Sequence, residues 1–242
     1  MTKLFEVSKQ HIPSSLLKDR FIVPPFSILD AEQGYWRLRK KNWLSLGIKS
    51  ELGRGEKLLF GIDVYDYKSA SMAYSSYSGN SIVNKRGAPQ TSIFDPVLCE
   101  IAYKWFTCPG DNILDPFAGG SVRGLVAGIL GYQYIGIDLR EDQIKANQKQ
   151  FFELSERFKD ILKPSWICGN SLNVKSLVPN IKYNLVFSCP PYYNLEHYSD
   201  NPDDLSNKFT YNEFLNSYGI IIANCVELLD DDSFAIFVVA NI

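Results

Sequence analysis

The fold class follows from the stretch Asn112-Ile-Leu-Asp-Pro-Phe-Ala-Gly-Gly-Ser-Val-Arg-Gly-Leu-Val-Ala-Gly-Ile-Leu130 and the segment after it. A short apolar run ends at Asp115, a glycine-rich turn follows, and small apolar residues then continue at helical spacing. A second apolar run, over residues 134–139, carries the acid Asp138 near its end. A strand, a helix and a strand in this order predict two parallel strands joined by a right-handed crossover.

The same alternation continues through the rest of the chain. We predict helices over 95–106, 141–158 and 211–229, and strands over 166–168, 183–189 and 233–240. Strands that alternate with helices indicate an α/β fold with a doubly wound, mostly parallel sheet. Ligands of such sheets bind beyond the carboxyl ends of the strands, where the polar residues of this chain gather.

The predicted sheet stops at its fifth strand, close to Ile242. A fold of this class normally ends with a further antiparallel pair, so we expect the sheet to lack its last strands. An uncovered hydrophobic edge strand attracts other chains. We therefore expect a second copy, as a homodimer, or a missing C-terminal part to cover it.

Composition narrows the class of protein. The 242 residues suit one α/β domain with an appendage or two small domains, and 45% of them are hydrophobic. A net charge of −2 gives no global basic field, so any nucleic-acid contact requires a local patch. No apolar run approaches the roughly 20 residues of a membrane helix. The five cysteines lack metal-site spacing, and the N-terminus lacks a signal-peptide pattern. We expect reduced thiols, no metal and a cytoplasmic protein.

Residues 1–90 differ from the rest and are interpreted as an irregular N-terminal extension. Between Arg37 and Lys57 there are seven basic residues against two acidic ones, with Trp36 and Trp43 beside them. This pattern fits either a solvated helix face followed by a loop, or a DNA-contacting patch. Residues 67–93, rich in serine and tyrosine, are predicted to be a long loop that joins this extension to a second domain, 91–242.

The glycine-rich turn, Asp115 before it and Asp138 after it together favour a nucleoside cofactor. Gly119 and Gly120 permit a tight turn that brings backbone N–H groups close to a ligand, although tight strand–helix packing also explains them. Asp115 would repel a pyrophosphate and suits a cationic amine. Asp138 can accept two ribose hydroxyls, or cap the next helix. These residues leave nicotinamide dinucleotides and S-adenosylmethionine both open.

The run Asn184-Leu-Val-Phe-Ser-Cys-Pro-Pro-Tyr-Tyr193 favours methyl transfer. Two prolines stop an apolar strand and leave carbonyl groups without ladder partners. Such carbonyls can accept from an exocyclic amine and turn its lone pair towards a methyl donor, while an adjacent ring stacks on a flipped base. The alternative for Tyr192 and Tyr193 is ordinary aromatic packing.

The combined motifs resemble the amino-methylating DNA methyltransferases, which modify N6 of adenine or N4 of cytosine. The motifs are Asp115-Pro-Phe-Ala-Gly, Gly136-Ile-Asp138, Gly169-Asn-Ser171 and Cys189-Pro-Pro-Tyr192, with the segment from Thr91 leading into the glycine turn. From residue 22 onward the chain is similar to phage-type DNA modification methylases. The resemblance implies a Rossmann-like methyltransferase fold, S-adenosylmethionine as cofactor and DNA as partner.

The resemblance also implies a role for each matching residue. Asp115 would bind the ammonium group of the cofactor's amino acid, Asp138 its ribose, and Tyr192 the target base. The implied cofactor-binding set is Thr91, Phe94, Asp115, Phe117, Gly119, Gly120, Asp138, Asn170 and Ser171. The implied catalytic set is Cys189, Pro190, Pro191 and Tyr192.

Two positions depart from the family pattern. Cys189 stands where Asp, Asn or Ser usually precedes the two prolines, and a thiol is a poor acceptor. Ser121 replaces the second glycine of the family's Gly-x-Gly turn. Because an exocyclic nitrogen is itself a nucleophile, we expect direct displacement and assign Cys189 no covalent role.

Three functions remain open from the sequence. The first is methylation of an amino nitrogen in DNA, the second is methylation of RNA or protein glutamine, and the third is an inactive cofactor- and DNA-binding module. About 68 residues separate the glycine turn from the diproline, too few for a recognition domain. We expect residues 194–208 to form a mobile loop over the site, with His197 as a candidate contact.

Overall fold

The computed structural model describes residues 22, 29–49, 94–193 and 198–239. Its sheet has the strand order β3-β2-β1-β4-β5, and every neighbouring pair is parallel. The strands are β1 (Asn112–Asp115), β2 (Gln133–Asp138), β3 (Ser165–Cys168), β4 (Tyr183–Ser188) and β5 (Leu229–Phe237). The predicted doubly wound α/β fold is confirmed. Its topological switch point lies between β1 and β4, where a ligand site is expected.

Helices cover both faces of this sheet. They are α1 (Gly34–Ser45), α2 (Pro96–Phe106), α3 (Val122–Leu130), α4 (Glu141–Ser155), α5 (Val174–Leu177) and α6 (Tyr211–Leu228). Neighbouring strand residues point to opposite sides, so Ile113 packs in one hydrophobic cluster and Leu114 in the other. The one-turn helix α5 escaped sequence prediction because four residues are too few to show periodicity. Among the described residues, no helix is long and apolar enough to cross a membrane.

Strand β5 begins four residues earlier than the sequence indicates. Helix α6 starts with a capping box formed by Thr210 and Glu213 and leads directly into β5. Asp232 has a positive φ of 57°, and the register shifts between Tyr183 and Leu185 of β4. At these irregularities the three consecutive aspartates, residues 230–232, fit into the exposed edge strand β5. What covers β5, whether a second copy or further residues, stays a prediction.

Helix α1 belongs to the same core as the sheet. Trp36 and Trp43 are 3% and 0% exposed, and both lie in the cluster beneath α2. Their indole N–H groups donate to Asp95 and Glu100 over 3.1 and 2.8 Å. Because these rings are enclosed by protein, they do not belong to a nucleic-acid surface, and that alternative does not apply to them.

The basic side chains of α1 divide between its two faces. Arg39 forms two hydrogen bonds with the buried Glu100, and Lys40 lies 3.1 Å from Asp95. Burial alone would raise the pKa of Glu100, but Arg39 and other donors hold that pKa below its ordinary value. Arg37 and Lys41 point outward instead. Residues 50–93 lie outside the described residues, so the predicted boundary at residue 90 stays a prediction.

Candidate functional site

One cavity opens at the carboxyl ends of the strands and holds most of the predicted site residues. It encloses about 1140 Å³, counting the part that is open to solvent. Its lining includes Phe94, Phe117, Gly119, Gly120, Asp138, Asn170, Ser171, Cys189, Pro191 and Tyr192. The glycine-rich turn and the diproline turn, about 68 residues apart in sequence, therefore face one space. Of the remaining predicted residues, Asp115 and Pro190 lie behind the lining, and Thr91 is outside the described residues.

The glycine-rich turn is held from two sides. Gly119 has a φ of +50°, which L side chains rarely adopt, so this turn requires glycine. Its N–H donates to Asp138 Oδ2 over 2.9 Å, and its carbonyl accepts from Asn147 Nδ2 over 2.8 Å. Strand β2 and helix α4 thus fix the backbone that lines the cavity.

Asp138 presents a carboxylate at the end of β2. Its Oδ1 accepts from the Arg140 N–H over 2.8 Å, and Arg140 rather than Asp138 is the N-cap of α4. A carboxylate offers about four lone-pair positions, so acceptor capacity remains after these two bonds. Burial raises the pKa of Asp138 to about 6, although the two backbone hydrogen bonds and the Arg140 charge oppose the rise. Asp138 is available to a ligand and is not engaged in capping the helix.

Asp115 is buried beneath the cavity and already has its partners. Its Oδ2 accepts from Arg123 Nε and the Tyr134 hydroxyl, each over 2.6 Å. Its Oδ1 accepts from the Ser188 hydroxyl over 2.5 Å and from the Phe117 N–H over 3.1 Å. Four donors occupy the four lone-pair positions of a fully buried carboxylate. The predicted contact between Asp115 and a cofactor ammonium does not fit this arrangement.

Arg123 forms the ion pair that engages Asp115 within the protein. It stands in the first turn of α3, is 4% exposed, and lines the cavity. Besides its ion pair with Asp115, Nη2 donates to the carbonyls of Phe117 and Ala118. The Phe94 ring lies 4.6 Å from the guanidinium carbon. The Asp115 charge and hydrogen bond raise the pKa of Arg123 against the effect of burial, so the cation is permanent.

Helix α4 supports the turn through a polar inner face that sequence analysis missed. Gln143, Asn147 and Gln150 are all buried, at positions that share one side of the helix. Gln143 donates to Asn147, and Gln150 accepts from the Ser121 hydroxyl while donating to the Lys49 carbonyl. The sequence did contain a signal for this polar face. Amide side chains recur at helical spacing on the side of α4 that faces the core, where apolar residues are expected.

The diproline turn carries one aromatic ring into the cavity and one away from it. Cys189 Sγ lies 4.0 Å from the Tyr192 hydroxyl, and both residues line the cavity. Pro190 is buried behind them. Tyr193 instead packs against Phe214, with ring centroids 5.7 Å apart. Ordinary aromatic packing therefore describes Tyr193, whereas base stacking by Tyr192 stays a prediction.

Part of the loop predicted over residues 194–208 borders the cavity, and its mobility stays a prediction. Tyr198, Asp203 and Leu205 contribute to the lining. This part is internally braced, because Asp204 accepts from Ser206, and Asn207 donates to the carbonyls at 199 and 201. His197 lies outside the described residues.

The lining chemistry fits a nucleoside that carries an amino acid. Asp138 supplies acceptors suited to a ribose diol. Asn170 Oδ1 accepts from the Leu172 N–H over 2.9 Å, and the Asn170 side-chain N–H groups donate to none of the described residues. The rest of the lining includes aromatic rings and glycines. The donor and acceptor set therefore suits an adenosine-based cofactor.

Comparison with known proteins agrees with this geometry. Residues 66–149 match the family model N6_N4_Mtase, described as DNA methylase. The resemblance to amino-methylating DNA methyltransferases is confirmed. The matched segment includes the glycine-rich turn and Asp138, and S-adenosylmethionine is the methyl donor of this family. Among curated protein sequences, none matches the chain. The finer likeness to phage-type modification methylases stays a prediction.

Solved structures with a similar fold include two methyltransferases. A SAM-dependent methyltransferase from Agrobacterium tumefaciens is 12% identical, with a TM-score of 0.44, over 62% of this chain and 46% of that one. An rRNA methylase from Streptococcus thermophilus is 10% identical, with a TM-score of 0.41, over 61% of this chain and 72% of that one. This chain therefore spans less than half of the Agrobacterium protein.

Proposed function

We propose that this protein transfers a methyl group from S-adenosylmethionine to an exocyclic amino nitrogen of DNA, N6 of adenine or N4 of cytosine. The observation that supports it best is the shared cavity. Asp138 and the glycine-rich turn line it, and so do Cys189, Pro191 and Tyr192 of the diproline turn. Direct transfer requires donor and acceptor pockets that open into one space.

The cofactor half of the proposal assigns roles along the lining. Asp138 accepts the ribose hydroxyls, Asn170 and Ser171 lie near the adenine, and Gly119 and Gly120 line the methionine part. Phe94 and Phe117 supply apolar contact. Thr91 keeps its predicted role at the methionine end. When bound, S-adenosylmethionine supplies an electrophilic methyl group on a positively charged sulfur.

The target half of the proposal rests on the diproline turn. Tyr192 stacks on the flipped base, and a carbonyl group of the diproline turn accepts from the amino group. With this N–H directed to the carbonyl, the nitrogen would present its lone pair to the methyl carbon. As the N–C bond formed, the S–C bond would break, S-adenosylhomocysteine would leave, and the extra proton on the nitrogen would pass to water. Orientation rather than covalent catalysis supplies the acceleration.

The experiment that tests the function offers several substrates in parallel. The protein is incubated with methyl-labelled S-adenosylmethionine and duplex DNA, single-stranded DNA, RNA or protein, and the products are digested for mass spectrometry. We expect labelled N6-methyladenine or N4-methylcytosine from DNA. Label only in RNA or protein would overturn the DNA assignment, and cofactor binding without any transfer would support an inactive module.

The affinity for the cofactor should depend on the ionisation of Asp138. Its pKa of about 6 lies within the assay range, and only the ionised carboxylate accepts from both ribose hydroxyls. Binding should therefore be full above pH 7 and weaken as pH falls, by about tenfold per pH unit once well below 6. Calorimetric titration with S-adenosylhomocysteine between pH 5 and 8 measures this.

Two variants separate this effect from general acid sensitivity. Asp138→Ala should bind about 10- to 100-fold more weakly at pH 8, which is the effect of losing hydrogen bonds to a charged group. Its remaining affinity should no longer change across the same pH range. Asp142→Ala, which removes a nearby exposed carboxylate, should behave like the unmodified protein. An Asp138→Ala protein with unchanged affinity would exclude the ribose role.

A further inference from the structure

Arg123 supplies an unused donor at the cavity. Nε and Nη2 are engaged by Asp115 and by two backbone carbonyls, whereas Nη1 donates to none of the described residues. Among the described residues, Nη1 is not one of the side-chain nitrogen or oxygen atoms that are fully buried and lack a hydrogen-bond partner. Because Arg123 is nine-tenths buried and lines the cavity, a ligand bound in the cavity can reach that donor.

The start of helix α3 adds a second attraction for an anion at the same place. The first turn of α3 contains no acidic residue, and the side chain of its N-cap, Ser121, makes no capping hydrogen bond. That hydroxyl donates to Gln150 instead. Within the described part of the chain, no side chain caps the first N–H groups of the helix, and the helix dipole favours negative charge there.

The partners of Asp115 argue against the contact with a cofactor ammonium group that the sequence suggested. All four of its acceptor positions are filled by protein donors, and one of these is Arg123 itself. An ammonium group would have to displace one of these buried partners to reach the carboxylate. Asp115 is therefore not available as the acceptor for an ammonium group.

We propose that Arg123 Nη1 and the N-terminus of α3 bind the α-carboxylate of the cofactor's methionine portion. This rests on the proposed function, because it assumes a cofactor that ends in an amino acid. The methionine end is then recognised by its carboxylate, with Asp115 as a positioning residue that holds the guanidinium in place. The charge recognised is opposite to that inferred from the sequence.

The test compares three ligands by calorimetry on the unmodified protein: S-adenosylhomocysteine, its decarboxylated analogue and its deaminated analogue. Loss of the carboxylate should weaken binding about 10- to 100-fold, as expected for hydrogen bonds to a charged group, and loss of the amine should matter much less. A larger penalty for the deaminated analogue would overturn the proposal. If none of the three binds, the proposed function itself fails.

Arg123→Lys provides the matched variant. A lysine keeps a cation beside Asp115 but loses the planar fork that reaches both Asp115 and the cavity. Its circular dichroism spectrum and melting curve establish that it folds. We expect the preference for S-adenosylhomocysteine over the decarboxylated analogue to fall towards unity, while affinity for the decarboxylated analogue is retained. An undiminished preference in a folded Arg123→Lys protein would also overturn the proposal.

Discussion

Tyr192→Ala should leave the affinity for S-adenosylhomocysteine unchanged and reduce methyl transfer by at least about 100-fold, because the lost stacking is worth about 1–3 kcal/mol and the base also loses its orientation. Tyr192 lines the cavity beside Cys189, in a different segment from Asp138 and the glycine-rich turn. Calorimetry measures the first quantity, and single-turnover transfer to DNA measures the second. Single-turnover conditions isolate the chemical step from product release.

Two conservative variants make this result specific. Tyr192→Phe keeps the ring and should retain most of the transfer rate. Tyr193→Phe removes a hydroxyl that donates to the Phe209 carbonyl outside the cavity, and should be close to normal in both assays. Full transfer by Tyr192→Ala would exclude the diproline turn as the target site, and a parallel loss of cofactor affinity would contradict the division into two pockets.

The fold was predictable because its signals are local. The crossover units each carry an apolar run, a turn and a helical pattern, and each resulting strand lies where the sequence indicates within a few residues. Strand β5 is the exception. Three consecutive aspartates argue against a strand, yet residues 230–232 belong to β5. They lie at the irregularity between its paired residues Leu229 and Phe234, where their side chains stay in solvent. Tertiary context overrides propensity there.

The sequence indicates which positions line the cavity better than it indicates which side chains contact each other there. Asp138, the glycines and Tyr192 line a common cavity because residues after parallel strands meet at one edge of the sheet. The motif around Asp115 gives no sign that Arg123, eight residues later, turns back to pair with it. Such pairing depends on how the start of α3 is placed over β1, which is a property of the folded chain.

The aromatic and basic residues of α1 show the same limit. Composition cannot distinguish a tryptophan that stacks on a base from one that seals a core. The partners of Trp36 and Trp43 are acids of α2 almost sixty residues away, Asp95 and Glu100. What remains exposed on α1 includes Arg37 and Lys41, so any contribution of this helix to DNA binding comes from its outer face.

Arg123→Met should destabilise the protein by about 3–5 kcal/mol, because it leaves the buried Asp115 charge without its cation. For a chain of this size that corresponds to a melting temperature lower by roughly 10 °C. Asp115 is fully buried and Arg123 is 4% exposed, so solvent cannot replace the lost partner. Chemical denaturation at pH 8 measures the free energy of unfolding.

The cause of this loss can be tested by removing the other charge as well. Asp115→Asn with Arg123→Met should be more stable than Arg123→Met alone, since no buried charge then lacks a partner. Arg140→Met is the matched control, because the Arg140 guanidinium pairs with Asp142, an exposed acid, and such pairs contribute about 1 kcal/mol or less. If Arg123→Met and Arg140→Met were equally stable, the Asp115–Arg123 pair would not be what organises the floor of the cavity, and the assignment of Asp115 as a positioning residue would fail with it.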